Sequence, residues 1–376
     1  MTEIRALTSL RFLAAFYVFV FHLHIRWPLA KDSPLAANFL SQGAVGMTLF
    51  FMLSGYILAH RYDGERLDWR SYFGNRFARI YPVYVAAALV TLPSMSLTPL
   101  TAQDWSLPAA SWMALILADA TAIQAWFPPM FKYWNNGASW SISAEAFFYA
   151  MFPILTPIIA KACTRDKIRW LVAAYLLSFL PAAMYILFDP MGPSATYYSV
   201  PIYRFPEFVA GMAAFHLGRS VRIRTAILEV GLVAASAFWV WYLALYGPRF
   251  PLYVSHNWIN VPVIGLALLT LTRSDSFLAR ILSVRPAVWA GKISYCFYSF
   301  QVLILFSAVD YRDAIIARFP LLKDDVWWTL SLFLPLMAIS AAGYYLIEEP
   351  FRVKVRGWLN RERKLGVDMS AASSPR

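Results

Sequence analysis

Apolar runs of roughly 18 residues or more recur along the whole chain, and each is long enough to cross a lipid bilayer as a helix. No other feature restricts the fold as tightly. The chain is 60% hydrophobic and only 14% charged, whereas a soluble domain needs about 25% charged residues to cover its surface. It reads as an all-α polytopic membrane protein. Spans fall near 7–27, 43–60, 80–97, 139–160, 170–188, 200–218, 225–246, 257–272, 288–309 and 327–347, with one ambiguous apolar piece at 109–127. The net charge of +12 would suggest nucleic acid in a soluble chain. In a membrane protein it reports topology first, because cytoplasmic loops hold the excess Lys and Arg. Cys163 and Cys296 are too few and too far apart for a disulfide framework or a metal cluster. The first 30 residues combine a basic start with an apolar stretch but lack a small-x-small cleavage site, so they are expected to stay as a helix.

Charge decides the ambiguous piece. With the N-terminus inside and 109–127 not crossing, 25 of the 33 basic residues fall on the cytoplasmic side, seven outside and Arg204 within a span. If 109–127 crossed, every later loop would change sides and KACTRDKIR would face outward, against the positive-inside rule. Asp119 in its middle also opposes a crossing. The expectation is ten transmembrane helices with both termini cytoplasmic, and 109–127 re-entrant or lying at the outer interface. Residues 1–352 form one transmembrane domain. Residues 353–376 form a basic cytoplasmic tail that lies on the inner leaflet and frays.

Several ionisable groups fall where lipid would oppose them. In RFLAAFYVFVFH, Arg11 and His22 are eleven residues apart, which in a helix leaves them only ~20 degrees out of register and about 16 Å apart along the axis. They share one face. Arg11 is open to two readings, a snorkelling interfacial cation or a functional charge. His22, an ionisable group inside a span, points to function. His24 faces some 200 degrees away from His22, nearer the outer surface. Arg76 and Arg79 sit three apart on one face just before a span, where two guanidiniums can fork onto a phosphate. Ordinary positive-inside charge is the competing explanation. SWSISAEAFFY places Glu145 inside a helix that Ser139 could cap, beside Trp140 and Ser141. YRFPEF contributes Tyr203 and sets Arg204 and Glu207 at i and i+3, as a buried pair tying helices together or as a substrate site. GKISYCFYSFQ brings the polar Ser294, Tyr295 and Gln301 into an apolar span. IEEPFR, with Glu348, Glu349 and Arg352, reads as a structural helix end. Trp126, Phe127, Phe131, Tyr133, Trp134 and Trp140 cluster in 126–140 as an interfacial belt or as a platform for sugar rings. No Walker motif, GxGxxG, HExxH or GxSxG is present, so nothing points to nucleotide hydrolysis or a metal site.

LTSLRFLAAFYVFVFH, VGMTLFFMLSGYIL, RFARIYP, SWSISAEAFFY, YRFPEFVAG, GKISYCFYSF and IEEPFR, in this order from residue 7 to 352, resemble the acyltransferase-3 family of integral membrane O-acyltransferases. The resemblance implies ten transmembrane helices and transfer of an acetyl group from acetyl-CoA, as co-substrate, to hydroxyls of extracytoplasmic polysaccharide or lipid-linked sugar. It assigns Arg11 and His22 to the essential Arg-x10-His, Arg76 and Arg79 to a cytoplasmic Arg-x-x-Arg that would meet the donor, and Glu145 to the motif glutamate. Trp140, Ser141, Tyr203, Arg204 and Glu207 are candidates for binding the acceptor. His22 would act as general base or carry the acyl group transiently, and Glu145 would orient the imidazole or bind the acceptor. Two departures stand out. The family often has a histidine where this chain has Gln301, and the hydrolase-like domain fused to some members is absent, so the chain would act alone or with polysaccharide-assembly proteins. A bacterial inner-membrane location follows. The competing readings are a transporter, a non-catalytic subunit of a polysaccharide export machine, or an acyltransferase with another donor or with a lipid or small-molecule acceptor.

Overall fold

A computed structural model describes residues 3–65, 67–91, 109–128, 139–250 and 252–372, with 109–112 and 362–372 described by backbone alone. The described residues contain helices and no strand. The principal helices are α1 (Arg5–His24), α2 (Pro34–Leu40), α3 (Gly46–Arg61), α4 (Trp69–Thr91), α5 (Ala109–Ala120), α6 (Trp140–Lys161), α7 (Thr164–Leu177), α8 (Leu180–Phe188), α9 (Ser194–Ser199), α10 (Pro201–Ser220), α11 (Thr225–Tyr246), α12 (Asn257–Leu271), α13 (Phe277–Leu282), α14 (Arg285–Arg318), α15 (Asp325–Gly343) and α16 (Glu349–Ala372). Among the described residues, eight helical stretches are long and apolar enough to cross a membrane.

The expected spans near 80–97 and 200–218 are not among those eight. Their helices, α4 and α10, carry Arg76 and Arg79, and Arg204 and Glu207, which lower the apolarity of any 18-residue window. Residues 92–97 of the first lie outside the described residues. The ambiguous piece forms α5, twelve residues long, which at about 1.5 Å per residue falls well short of a ~30 Å hydrocarbon core. Its C-terminal end is tied to α4, where Tyr81 Oη donates to the Ala120 carbonyl and Tyr84 Oη to the Asp119 carbonyl, both at 2.8 Å.

Helix α1 has neither Gly nor Pro to interrupt it, so it runs unbroken between α14 and α3. Prolines do occur inside α4, α6, α10, α12 and α15, as bundled membrane helices allow when neighbours re-satisfy the freed carbonyls. Helices α3 and α10 cross closely at two glycines. A Cβ on Gly55 would land on the Phe208 carbonyl, and one on Gly211 on the Met52 carbonyl. This is the small-residue contact by which membrane helices gain packing without a hydrophobic driving force.

The end of the chain departs from expectation. Helix α15 passes through a π-helical turn, Tyr344–Glu348, into α16. Pro350 has no N–H to return to the i−4 carbonyl, which accounts for a widened turn at this point. The tail after Arg352 is helical through Ala372 rather than frayed. It packs on α4 through buried Leu359 against Gly74 and through Arg70 over the Trp358 ring at 4.9 Å.

Candidate active site

Three cavities lie in series along α1. The first, about 440 Å³, opens at the N-terminal end of α1 and is lined by Arg11, Arg76, Arg79, Lys292, Glu348 and Arg352 among others. The second is a narrow space of about 50 Å³ lined by Arg11, Arg79, Ser141, Glu145, Tyr295 and Tyr298. The third, about 280 Å³, is lined by His22, Arg26, Met47, Trp140, Tyr198 and Tyr253, with Tyr298 and apolar side chains of α14. Arg11, Arg79, Ser294 and Tyr295 border both the first and second cavities, and Met47 and Tyr298 border both the second and third. Because α1 is continuous, Arg11 and His22 keep the shared face that their spacing requires. The arginine marks one end of this path and the histidine the other.

The arginine end gathers positive charge. Arg11, Arg76 and Arg79 are half-buried and converge from α1 and α4. Among the described residues none of the three forms an ion pair or donates a hydrogen bond, and the Arg76 Nε is buried without an acceptor. Arg76 also stacks over the Tyr149 ring at 5.8 Å. Guanidiniums that make no direct ion pair keep their donors open to a ligand that brings its own oxygens. Glu348 and Arg352, expected to be structural, line this same pocket. The π-helical turn brings the Glu348 side chain inside, 3.6 Å from Arg352 Nη1 and from Cys296 Sγ, whose thiol can donate to it. The spacing of IEEPFR gave no signal of that inward turn, since a regular α-helix would place Glu348 differently.

Glu145 belongs to the middle of the path. Its Oε2 accepts from Tyr149 Oη at 2.9 Å, and it faces Arg11 and Arg79. It does not orient the imidazole. That contact is made by Gln301, whose Oε1 lies 3.2 Å from His22 Nδ1 and whose Nε2 donates to the Tyr298 carbonyl at 3.0 Å. Gln301 is 279 residues from His22 in the chain, so only the packing of α14 on α1 reveals the pair. His24 is occupied locally, accepting at Nδ1 from the Leu29 N–H at 3.1 Å.

The expected acceptor residues divide. Trp140 borders the His22 cavity, stacked edge-on to Phe51 and tilted on Tyr198 at 5.0 Å. Ser141 lines the middle cavity with Glu145. Tyr203 borders none of the three cavities and stacks on Tyr197. Arg204 and Glu207 are fully buried and also outside them. Arg204 Nη2 and Nε reach Glu207 Oε2 at 3.0 and 3.1 Å, and Glu207 Oε1 accepts from Asn257 Nδ2 at 2.7 Å and Thr48 Oγ1 at 3.2 Å. The guanidinium lies over Tyr198 and Phe51 at 4.7 and 5.2 Å. Every strong donor and acceptor here has a protein partner, so of the two readings the pair that ties α10 to α3 and α12 is the one the geometry supports. Of the outer aromatics, Trp126 packs on Phe147, while Phe131, Tyr133 and Trp134 lie outside the described residues. Tyr198 and Tyr253, which complete the His22 cavity, carried no sequence signal beyond being aromatic.

Comparison with known proteins identifies the family. The Acyl_transf_3 family model, described as an acyltransferase domain, matches residues 4–348. The chain is 30% identical to the acyltransferase MdmB of Streptomyces mycarofaciens over 45% of its own length and 43% of that protein. It is 21% identical to the peptidoglycan O-acetyltransferase OatA of Listeria monocytogenes over 92% of its own length and 55% of that protein. The chain thus spans about half the length of these curated relatives. No solved structure matches it. A family match that extends from the first helix through the π-helical turn, over a bundle of membrane-length helices, makes this chain a member of the acyltransferase-3 family of membrane O-acyltransferases.

Proposed function

We propose that the chain carries an acyl group, acetyl from acetyl-CoA, across a bacterial inner membrane to a hydroxyl of an extracytoplasmic polysaccharide or lipid-linked sugar. The observation that carries this reading is the series of cavities from the unpaired arginines to His22. Arg11, Arg76 and Arg79 would hold the phosphates of the donor, whose charges they match. The narrow middle space admits a slender chain and excludes a nucleotide, which keeps the anionic part at the N-terminal end of α1. At the other end, His22 faces a cavity walled by Trp140, Tyr198 and Tyr253, whose ring faces suit the apolar face of a sugar. There His22 would take the proton of the acceptor hydroxyl while the oxygen bonds to the acyl carbon, the carbon–sulfur bond breaks and the thiolate leaves to be protonated. This assignment places the N-terminal end of α1 in the cytoplasm and is compatible with ten spans and both termini inside.

The test is direct. Purified protein in liposomes receives labelled acetyl-CoA on one side and soluble peptidoglycan fragments or other glycans on the other, with product read by mass. Transfer is expected in the parent and lost in His22→Ala. Full acetylation by a folded His22→Ala protein would sink the assignment. Arg76→Ala is expected to weaken acetyl-CoA binding while leaving turnover at saturating donor comparatively intact.

A further inference from the structure

Gln301 is fully buried on α14, and both ends of its amide are engaged. Its orientation is fixed by the Tyr298 carbonyl, which only an N–H can satisfy. Turned over, the amide would set its oxygen against that carbonyl, acceptor against acceptor. Oε1 is therefore the atom facing His22 Nδ1. A carboxamide oxygen only accepts, so Nδ1 must supply the hydrogen. The ring edge left to line the cavity bears Nε2, with its lone pair free.

We propose that Gln301 is a positioning residue that holds His22 in the Nδ1–H tautomer, so that bare Nε2 faces the acceptor cavity ready to take a proton. The proposal rests on the acyl-transfer reading of that cavity. A neutral amide suits the task differently from a carboxylate. It orients the ring while stabilising the imidazolium far less than a carboxylate would, so the base is less readily protonated before the acceptor arrives. The other titratable or charged groups facing this cavity are Arg26, just past the end of α1, Tyr198 on α9, Tyr253, which precedes α12, and Tyr298 on α14. None is a carboxylate. Arg26 donates from Nη1 to the His22 carbonyl at 3.1 Å, a cation placed where it opposes a second positive charge on the ring.

The first measurement uses the parent protein in liposomes, uniformly 15N-histidine labelled, with the His22 signals taken as the difference from His22→Ala. Protonated Nδ1 and bare Nε2 are expected near neutral pH, and a protonated Nε2 would overturn the proposal. The second uses acetyl-CoA with soluble peptidoglycan fragments and follows coenzyme A release. Gln301→Met is expected to lower kcat by about a hundredfold, within the ~10²–10⁴ that a positioned base contributes, with the KM for acetyl-CoA unchanged. Gln301→Glu keeps an acceptor at the same place, so it should recover much of the rate while moving the acid limb of the pH profile to higher pH. A Gln301→Met protein with parental kcat, or a Gln301→Glu protein with an unmoved acid limb, counts against the proposal, and if neither variant folds the parental spectrum decides alone. Parental activity in His22→Ala would instead overturn the role of His22 as base, and a folded parent that neither releases coenzyme A nor acetylates any acceptor would overturn the acyl-transfer reading itself, whatever the tautomer.

Discussion

Two kinds of buried arginine occur in this protein, and they should respond differently to mutation. Arg204 is fully buried with its carboxylate partner supplied. Glu207→Ala would leave that guanidinium unpaired in an apolar interior, a loss of about 3–5 kcal/mol. The expected outcome is a much lower thermal midpoint in detergent, with the KM for acetyl-CoA unchanged in whatever folds. Replacing both members with apolar residues of similar volume should recover much of that stability. Arg79 makes no direct ion pair or hydrogen bond among the described residues, with Glu145 and Glu348 only as more distant neighbours. Arg79→Ala should cost little stability yet raise the KM for acetyl-CoA by about tenfold or more, the scale of one charge-assisted hydrogen bond. An Arg79→Ala protein that melts early but binds the donor normally would reverse that assignment. From sequence these arginines look alike, because the difference lies in Thr48 and Asn257, more than 150 and 49 residues away, respectively, from the pair they satisfy. The Arg11–His22 face was legible because helical spacing is local. The partner of His22 was not, because it is set by which helix packs against which.

At the scale of whole helices, apolar length predicted most of the elements, and the two expected spans whose helices fall short in apolarity are the two that carry clustered charges. Helix α4 carries Arg76 and Arg79 and α10 the buried ion pair, and such charges reduce the apolar signal that betrays a span. The π-helical turn and the packed C-terminal helix were likewise invisible, since the turn packs on α4 and α14 and the helix on α4, contacts that no local pattern encodes. The Gly55–Gly211 crossing is an element-scale prediction of its own. Gly211→Val would drive side-chain atoms into the Met52 backbone, which cannot move aside as a flexible side-chain tip would. Overpacking of this kind costs about 1–3 kcal/mol or more. The variant should lose thermal stability in detergent, whereas Gly357→Ala, with nothing near its Cβ position, should not. Equal midpoints for the two would show that α3 and α10 do not need their close approach.

For the molecule as a whole, the central question is whether the three cavities act as one path. Their volumes make the middle the place to ask it, because about 50 Å³ separates spaces of about 440 and 280 Å³. Met47 and Tyr298 face each other's cavities from α3 and α14 and border both the middle space and the His22 cavity. Met47 is the better residue to alter, since it makes no hydrogen bond whose loss would confuse the result. Met47→Trp adds bulk where the acyl end of the donor would have to pass, without touching Arg11, Arg76 or Arg79. The donor should still bind, within about twofold by titration with acetyl-CoA, because its phosphates meet the unaltered arginines. Transfer should fall by about a hundredfold, as misplacement of a reacting group by ~1 Å is enough to do. Met47→Ala widens the same point and should retain transfer, which separates obstruction from a general packing defect. A folded Met47→Trp protein that binds acetyl-CoA and transfers at the parental rate would mean that the acyl group reaches His22 by another route, and the series of cavities would lose its functional meaning.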